Sequence, residues 1–431
     1  MKKLLVLTYL FCFNNAFSQE KTDKLLLNIL KSKPEAFGKI LADPAKYRVQ
    51  ILYTQIDRDK KNVPSFKSYA YRLNKDEYFY PASTVKFPAC LLALEKVNQL
   101  NVKGLTKKSW MLSDSIYDGQ IRQTRDESNI ENGGMPTIEH YVKEILVVSD
   151  NNAFNRLYEF MGQEAFNETL YKKGYKDLRI VHRLQTPMSR EQNRRSNPII
   201  FRNKSEGDEL TLTDVYRQPM LVNPKIYEPS APIKLGKGFM RGDKLIEEGF
   251  DFTYKNSFPI ENQQAILRGV LFPESVAAEQ RFDLKDDDYK LIYKFMSQFP
   301  TETSNPPYKK DTAMYDSYCK FLMFGDNKKP IPRSIRIFNK VGDAYGFLLD
   351  NAYIVDFEKK IEFMLSVVIY CNADGVFNDD KYDYDEVGYP FMANLGKAVY
   401  DFEVKRKRKV KPDLSKFVIT YDKWLERGWH G

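Results

Sequence analysis

Hydrophobic and polar positions along this chain fall into two repeats, one helical and one strand-like, and the order of the switches predicts an architecture. Residues 21–41 carry apolar side chains at helical spacing, among them Leu25, Leu26, Leu27, Ile29 and Leu30. Two strand-like runs follow at 48–56 and 66–73, and the polar stretch 57–64 between them reads as a hairpin connection. Residues 83–100 and 137–170 return to helical periodicity, with Thr137 and Glu139 near the start of the second run. From 185 to 232 the chain is polar and rich in proline pairs, including Thr186-Pro187, Asn197-Pro198, Asn223-Pro224 and Glu228-Pro229, which predicts loops and short surface pieces. Helices are predicted again at 286–299 and 310–324. Strands follow at 334–340, 350–356 and 362–370, and a last helix at 389–402. Two strands near the start and three near the end flank a mostly helical middle. The expected fold class is α/β (α+β): one antiparallel sheet built from both chain ends, flanked by helices, with a helical lobe carrying an insertion.

Composition narrows the class. Of 431 residues, 42% are hydrophobic and 29% charged, the balance of a globular protein, and 14% aromatic content argues for a large core and against disorder. Residues 1–18 have a basic start, Lys2-Lys3, then a short apolar stretch and a small-residue exit. They read as a secretory signal peptide cleaved after Ser18, which predicts a periplasmic or secreted protein. No later run approaches the ~20 apolar residues of a membrane helix. The net charge of +9 owes much to the run 405–409, within a basic extension at 404–431. That run reads as a solvated tail, with no nucleic-acid partner expected. Cys90, Cys319 and Cys371 do not make a disulfide framework, although a Cys319–Cys371 bridge is conceivable. The three histidines, His140, His182 and His430, form no ligand-spaced cluster with cysteine, so no metal and no cofactor is called for. The acidic segment 379–386 lacks the spacing and glycine of an EF-hand loop.

The candidate chemistry begins at Ser83-Thr84-Val85-Lys86. Positions three apart share a helix face, so the Lys86 amine is expected within reach of the Ser83 hydroxyl, supplying a base to a nucleophile. Downstream stand Ser149-Asp150-Asn151 and, on a predicted strand, Lys340-Val341-Gly342. Ser-x-x-Lys, Ser-Asp-Asn and Lys-x-Gly in this order resemble the penicillin-recognising serine hydrolases, the class A β-lactamases and penicillin-binding proteins. The resemblance spans nearly the whole mature chain and implies a β-lactamase/DD-peptidase-like fold. It also implies roles. Ser83 is the nucleophile, Lys86 its base, and Ser149 a proton relay toward the leaving nitrogen. Lys340 supplies positive charge, and Asn151, Val341, Gly342 and Asp343 line the substrate. The backbone amides of Ser83 and Asp343 form the oxyanion hole. Burial and the second cation, Lys340, are both expected to lower the Lys86 pKa.

The chain departs from the family pattern in three ways. Val341 stands where Thr or Ser is usual and cannot donate to a substrate carboxylate, a bond worth ~1.5–3 kcal/mol. The Glu-x-x-Leu-Asn segment of class A enzymes is missing, and Glu191 is the only nearby carboxylate, hence the candidate for water activation. Ser149 and Lys340 are 191 positions apart, roughly twice the usual separation, with the surplus expected as a subdomain at about 197–327. His182 in Val-His-Arg-Leu reads as structural, since Lys86 fills the base role. The leading function is hydrolysis of β-lactam amides through an acyl-enzyme on Ser83. The alternatives are a peptidoglycan D-Ala-D-Ala peptidase, amidase or esterase, or a non-catalytic binding protein on the same fold. The partner is a small-molecule β-lactam or a peptidoglycan-derived substrate, and the oligomeric state is left open.

Overall fold

The computed structural model describes residues 20–116, 121–205, 208–308 and 314–422. The expected signal peptide and residues 423–431 of the C-terminal extension lie outside them. The helix expected at 21–41 is two helices, α1 (Lys24–Lys31) and α2 (Pro34–Ala42). Pro34 opens the second, because a proline has no N–H to continue the first and is well suited to a first turn. The hairpin is β1 (Gln50–Arg58) and β2 (Pro64–Tyr71), in register from Ile51–Tyr71 to Arg58–Pro64. A 3₁₀ turn, Ala82–Val85, leads into α3 (Lys86–Leu100), apolar on nearly every side and therefore buried almost all round. After β3 (Trp110–Ser113), the stretch 137–170 resolves into α4 (Ile138–Val148), α5 (Asn151–Met161) and α6 (Gln163–Lys172). Thr137 caps α4 and Asp150 caps α5, and the chain turns through positive φ at Ser149 and Gly162.

Two expectations for the middle of the chain are corrected. The stretch 185–232 is not only loops: β4 (Ile199–Ser205) and β5 (Asp208–Gln218) pair antiparallel and join β3 in a three-stranded sheet. Pro198 and Pro219 bound this ribbon instead of interrupting it, so proline density marked its ends. The helix expected at 310–324 is, in its described part, a 3₁₀ turn at Asp316–Cys319 followed by turns, while 309–313 lie outside the described residues. Buried side chains hold this segment in place of a helical ladder. Asp350 Oδ2 accepts the N–H groups of Phe321 and Leu322 at 3.2 and 3.1 Å, and Lys320 Nζ donates to Met296 O and Asn339 Oδ1.

Helix α7 (Ile260–Leu271) was not anticipated from the sequence, whereas α8 (Asp286–Ser297) was. Both fall within 197–327, yet α7 lies directly on the central sheet. Its Gln264 donates to Leu52 O and Ser366 Oγ, both at 2.9 Å, and accepts from Thr54 Oγ1 at 2.6 Å. The last strands are β6 (Ile335–Ala344), β7 (Phe347–Asp356) and β8 (Ile361–Tyr370), followed by α9 (Tyr389–Lys405). The central sheet has the order β6-β7-β8-β1-β2, all antiparallel, so both chain ends build it as expected. One apolar core joins α1, α2 and α9 to one face; the other lies between the opposite face, α7 and α8, and the lobe of α3–α6.

The run 405–409 is only partly solvated: Lys405, Lys407 and Lys409 are exposed as expected, whereas the two arginines fold back. Arg406 and Arg408 both bond Glu403, Arg406 Nη1 also reaches Asp57 at 2.5 Å, and Leu414, Phe417 and Tyr421 are buried. The arginines fold back here because buried Glu403, hydrogen-bonded to Tyr53, needs cations beside it. All three described cysteines are free and buried, so no Cys319–Cys371 bridge forms.

Candidate active site

The nucleophile turn, the α4–α5 junction and the end of β6 meet in one cleft of about 480 Å³. The turn is set by Pro81: its carbonyl accepts the N–H of Thr84 at 3.1 Å and the Thr84 hydroxyl at 2.7 Å. Ala82 takes a left-handed φ of 47°, a strained conformation for a residue with a Cβ, costing about 1–2 kcal/mol. Ser83 follows it, half-buried, at the cleft wall. Strand β6 can approach this turn only because residue 342 is glycine. A Cβ there would lie 2.9 Å from both Pro81 O and Ser83 N. That contact sets the backbones of Ser83 and Gly342–Asp343 side by side, where two amides are wanted for an oxyanion.

Ser149 ends α4 in a left-handed conformation, φ 60°, and Asp150 immediately starts α5 by accepting the Ala153 N–H at 2.7 Å. This tight junction aims the Ser149 hydroxyl into the cleft and leaves its carbonyl without a helical partner. Lys86, fully buried, fills that vacancy: Nζ donates to Ser149 O at 2.5 Å and lies 3.3 Å from Ser149 Oγ. Lys340, 3% exposed, donates to Ser149 Oγ at 2.8 Å and to Val341 O at 2.9 Å. The sequence expectation of a Lys86–Ser83 hydrogen bond is corrected here. Among the described residues Ser83 Oγ has no hydrogen-bond partner, because the orphan carbonyl of α4 competes successfully for the Lys86 amine. Catalytic hydrogen bonds often tighten only when substrate is bound.

Burial is the main force on both amines. It holds the Lys86 ammonium well below the usual lysine range, with the neighbouring charge of Lys340 as the second cause. Lys340 is lowered by burial as well. Asp343 stands at the cleft mouth, open to solvent on one side but flanked by enough protein that its carboxyl is raised. Ser149 Oγ thus receives N–H donors from two amines, and its own proton is left to donate into the cleft. Asn151 joins the same wall and donates to Gln185 Oε1 at 2.7 Å. Val341 is buried against the same cleft, and Tyr315, Tyr318 and Tyr389 close its far side.

Glu191 lies elsewhere. It is exposed on the short helix Arg190–Asn193, pairs with Arg195, and lines a neighbouring cavity instead of the Ser83 cleft. Asp343 is the only carboxylate among the described residues lining that cleft. Sequence reasoning missed Gln185, Tyr80 and Tyr345 as cleft residues, since each arrives through tertiary packing and belongs to no motif. It also missed that Asp126, His140 and Glu144 meet in space, where all three bond the Ser128 hydroxyl at 2.5–2.7 Å.

Residues 35–217 match the model of the "Beta-lactamase enzyme family". That segment is similar to the β-lactamase enzyme family. The segment contains Ser83, Lys86, Ser149 and Asn151, and Lys340 joins them from outside it through Ser149 Oγ. The match supports a serine hydrolase of the β-lactamase type. Among solved structures, the class A β-lactamase from Clostridium kluyveri is 15% identical with a TM-score of 0.46, covering 86% of this chain and 98% of its own. A β-lactamase from Xanthomonas campestris pv. campestris is 13% identical, TM-score 0.47, covering 89% and 99%. One from Burkholderia phymatum is 13% identical, TM-score 0.46, covering 88% and 100%. TM-scores below 0.5 mark these as partial likenesses. No curated protein sequence matches the chain.

Proposed function

We propose that this protein is an exported enzyme that opens β-lactam amides by acyl transfer to Ser83. The observation that carries the reading is the Ser149 hydroxyl bonded by two buried amines in the cleft that Ser83 lines. Burial and Lys340 lower the Lys86 pKa, so its neutral amine is more accessible than that of an ordinary lysine and takes the Ser83 proton as the oxygen attacks the carbonyl. The tetrahedral oxyanion faces the Ser83 and Asp343 backbones. Collapse breaks the C–N bond, and Ser149 passes its proton to the leaving nitrogen while Lys340 or Lys86 replaces it. Release of the acyl group then needs an activated water. Glu191 does not line the cleft, so Lys86 serves as base a second time, and the acyl-enzyme is long-lived.

Stopped-flow measurement with nitrocefin tests this. The expected trace is a burst stoichiometric with enzyme followed by slow steady hydrolysis. A linear trace with no burst contradicts slow release, and absence of any colour change contradicts the β-lactam reading.

A further inference from the structure

Charge and aromatic surface are unevenly placed in the Ser83 cleft. Lys86 and Lys340 stand behind its wall, and of the described residues that line it only Asp343 is charged. Five of the others are tyrosines: Tyr80, Tyr315, Tyr318, Tyr345 and Tyr389. Strand β6 sets Asp343 on this side. Side chains alternate along a strand, so Lys340 reaches Ser149 from one face while Val341 and Asp343 share the other. Tyr384 and Tyr389 stand near that second face, their phenols raised by burial and then by the charge of Asp343. The Asp343 carboxylate is open to solvent and, among the described residues, takes no hydrogen bond and no ion pair. Lys340 and Lys86 act on it only from a distance, because both amines are held on Ser149.

A carboxylate without a counter-ion beside aromatic rings is complementary to an ammonium group, which gains both the opposite charge and the ring faces. The same wall rejects an anion, since Val341 offers no donor and Asp343 adds like charge. The side of the scissile bond also follows. Lys340 bonds the Ser149 hydroxyl that serves the leaving atom, so β6 runs past that atom and a group beyond it meets Asp343. We infer that this cleft selects acyl donors with an ammonium group on the leaving side, paired with Asp343 and enclosed by the tyrosines. The inference deepens the reading of Ser83 as acyl acceptor and rests on it. Benzylpenicillin, anionic on its leaving side, acylates Ser83 against the charge of Asp343.

Three thioacetates test this: acetylthiocholine, its uncharged 3,3-dimethylbutyl isostere, and the anionic S-acetyl-3-mercaptopropionate. Transfer leaves the acetyl group on Ser83 Oγ and the serine proton on the released thiol, which a disulfide dye counts. With the full-length protein the ammonium compound is expected to react about tenfold faster than its isostere, and the anion more slowly than either. Asp343→Asn should bring the cation-to-isostere ratio to about one while speeding acylation by benzylpenicillin, opposite shifts that a merely structural loss does not produce. Tyr389→Leu should lower the ratio severalfold. Asp343→Ser repeats the test if the asparagine variant loses its fold. A ratio near one in the wild type, or one unchanged by Asp343→Asn, overturns the inference. Should no thiol be released, or release persist in Ser83→Ala, the fault lies with the Ser83 reading for these donors, and calorimetry with benzyltrimethylammonium decides the cleft alone. Binding weakened about tenfold by Asp343→Asn supports the cation site; no binding to the wild type, or binding indifferent to that substitution, overturns it.

Discussion

A lysine buried without a carboxylate partner costs stability, and under the proposed mechanism that cost at Lys86 favours the neutral amine that serves Ser83 as a base. The sign of the pH dependence follows. A cation disfavoured by folding lowers stability progressively as pH falls from the unfolded lysine value of 10.5 through the folded one. Lys86→Met should therefore abolish acylation and raise Tm at pH 7 more than at pH 11, measured by thermal melts at both. Acylation itself should increase with pH along a limb centred well below 10.5, because the neutral amine is the active form. Removing the charge of Lys340 relieves one of the two causes of the Lys86 shift, so the residual activity of Lys340→Met should show this limb displaced to higher pH. Val341→Thr adds a hydroxyl at the cleft and is expected to speed acylation by carboxylate-bearing β-lactams about tenfold in a kinetic titration.

At the scale of elements, the site depends on how closely strand β6 can press against the Ser83 turn. Gly342→Ala would drive a Cβ into Pro81 O and Ser83 N, neither of which is a side chain able to swing away. The expected result is a loss of about 100-fold or more in acylation rate with a stability cost of about 1–3 kcal/mol, read by urea titration. A large fall in stability with the rate preserved would contradict this account of Gly342. Here the sequence was partly legible. Lys340-Val341-Gly342 lay on a predicted strand, and Ser83 and Ser149 line one cleft, where Lys340 bonds the Ser149 hydroxyl. What could not be read was the backbone: nothing in Ala82 or Ser149 announces positive φ, since neither is the glycine that would mark it. The Lys86 contact with the α4 carbonyl was equally hidden, because it exists only where two helices meet.

Across the whole molecule, all five strands of the central sheet were expected from the sequence, whereas α7 was missed. Its core-facing side includes Gln264, a polar residue whose amide is satisfied by Leu52, Thr54 and Ser366 on distant strands. Arg406 and Arg408 of the C-terminal segment were misread for a related reason: they looked solvated until Glu403 and Asp57 supplied partners. Phe417 packs against Phe272, Tyr293, Phe338 and Tyr353, so Phe417→Ala should destabilise the protein by about 3–5 kcal/mol in denaturant titration. A loss below about 1 kcal/mol would mean the tail is dispensable. The central claim, that one fold gathers three distant stretches to make Ser83 an acyl acceptor, is tested most directly by intact-mass spectrometry and peptide mapping after exposure to benzylpenicillin. The account predicts a single covalent penicilloyl adduct mapped to Ser83 and its complete loss in Ser83→Ala. An adduct that survives in Ser83→Ala, or an unlabelled wild type, would contradict it.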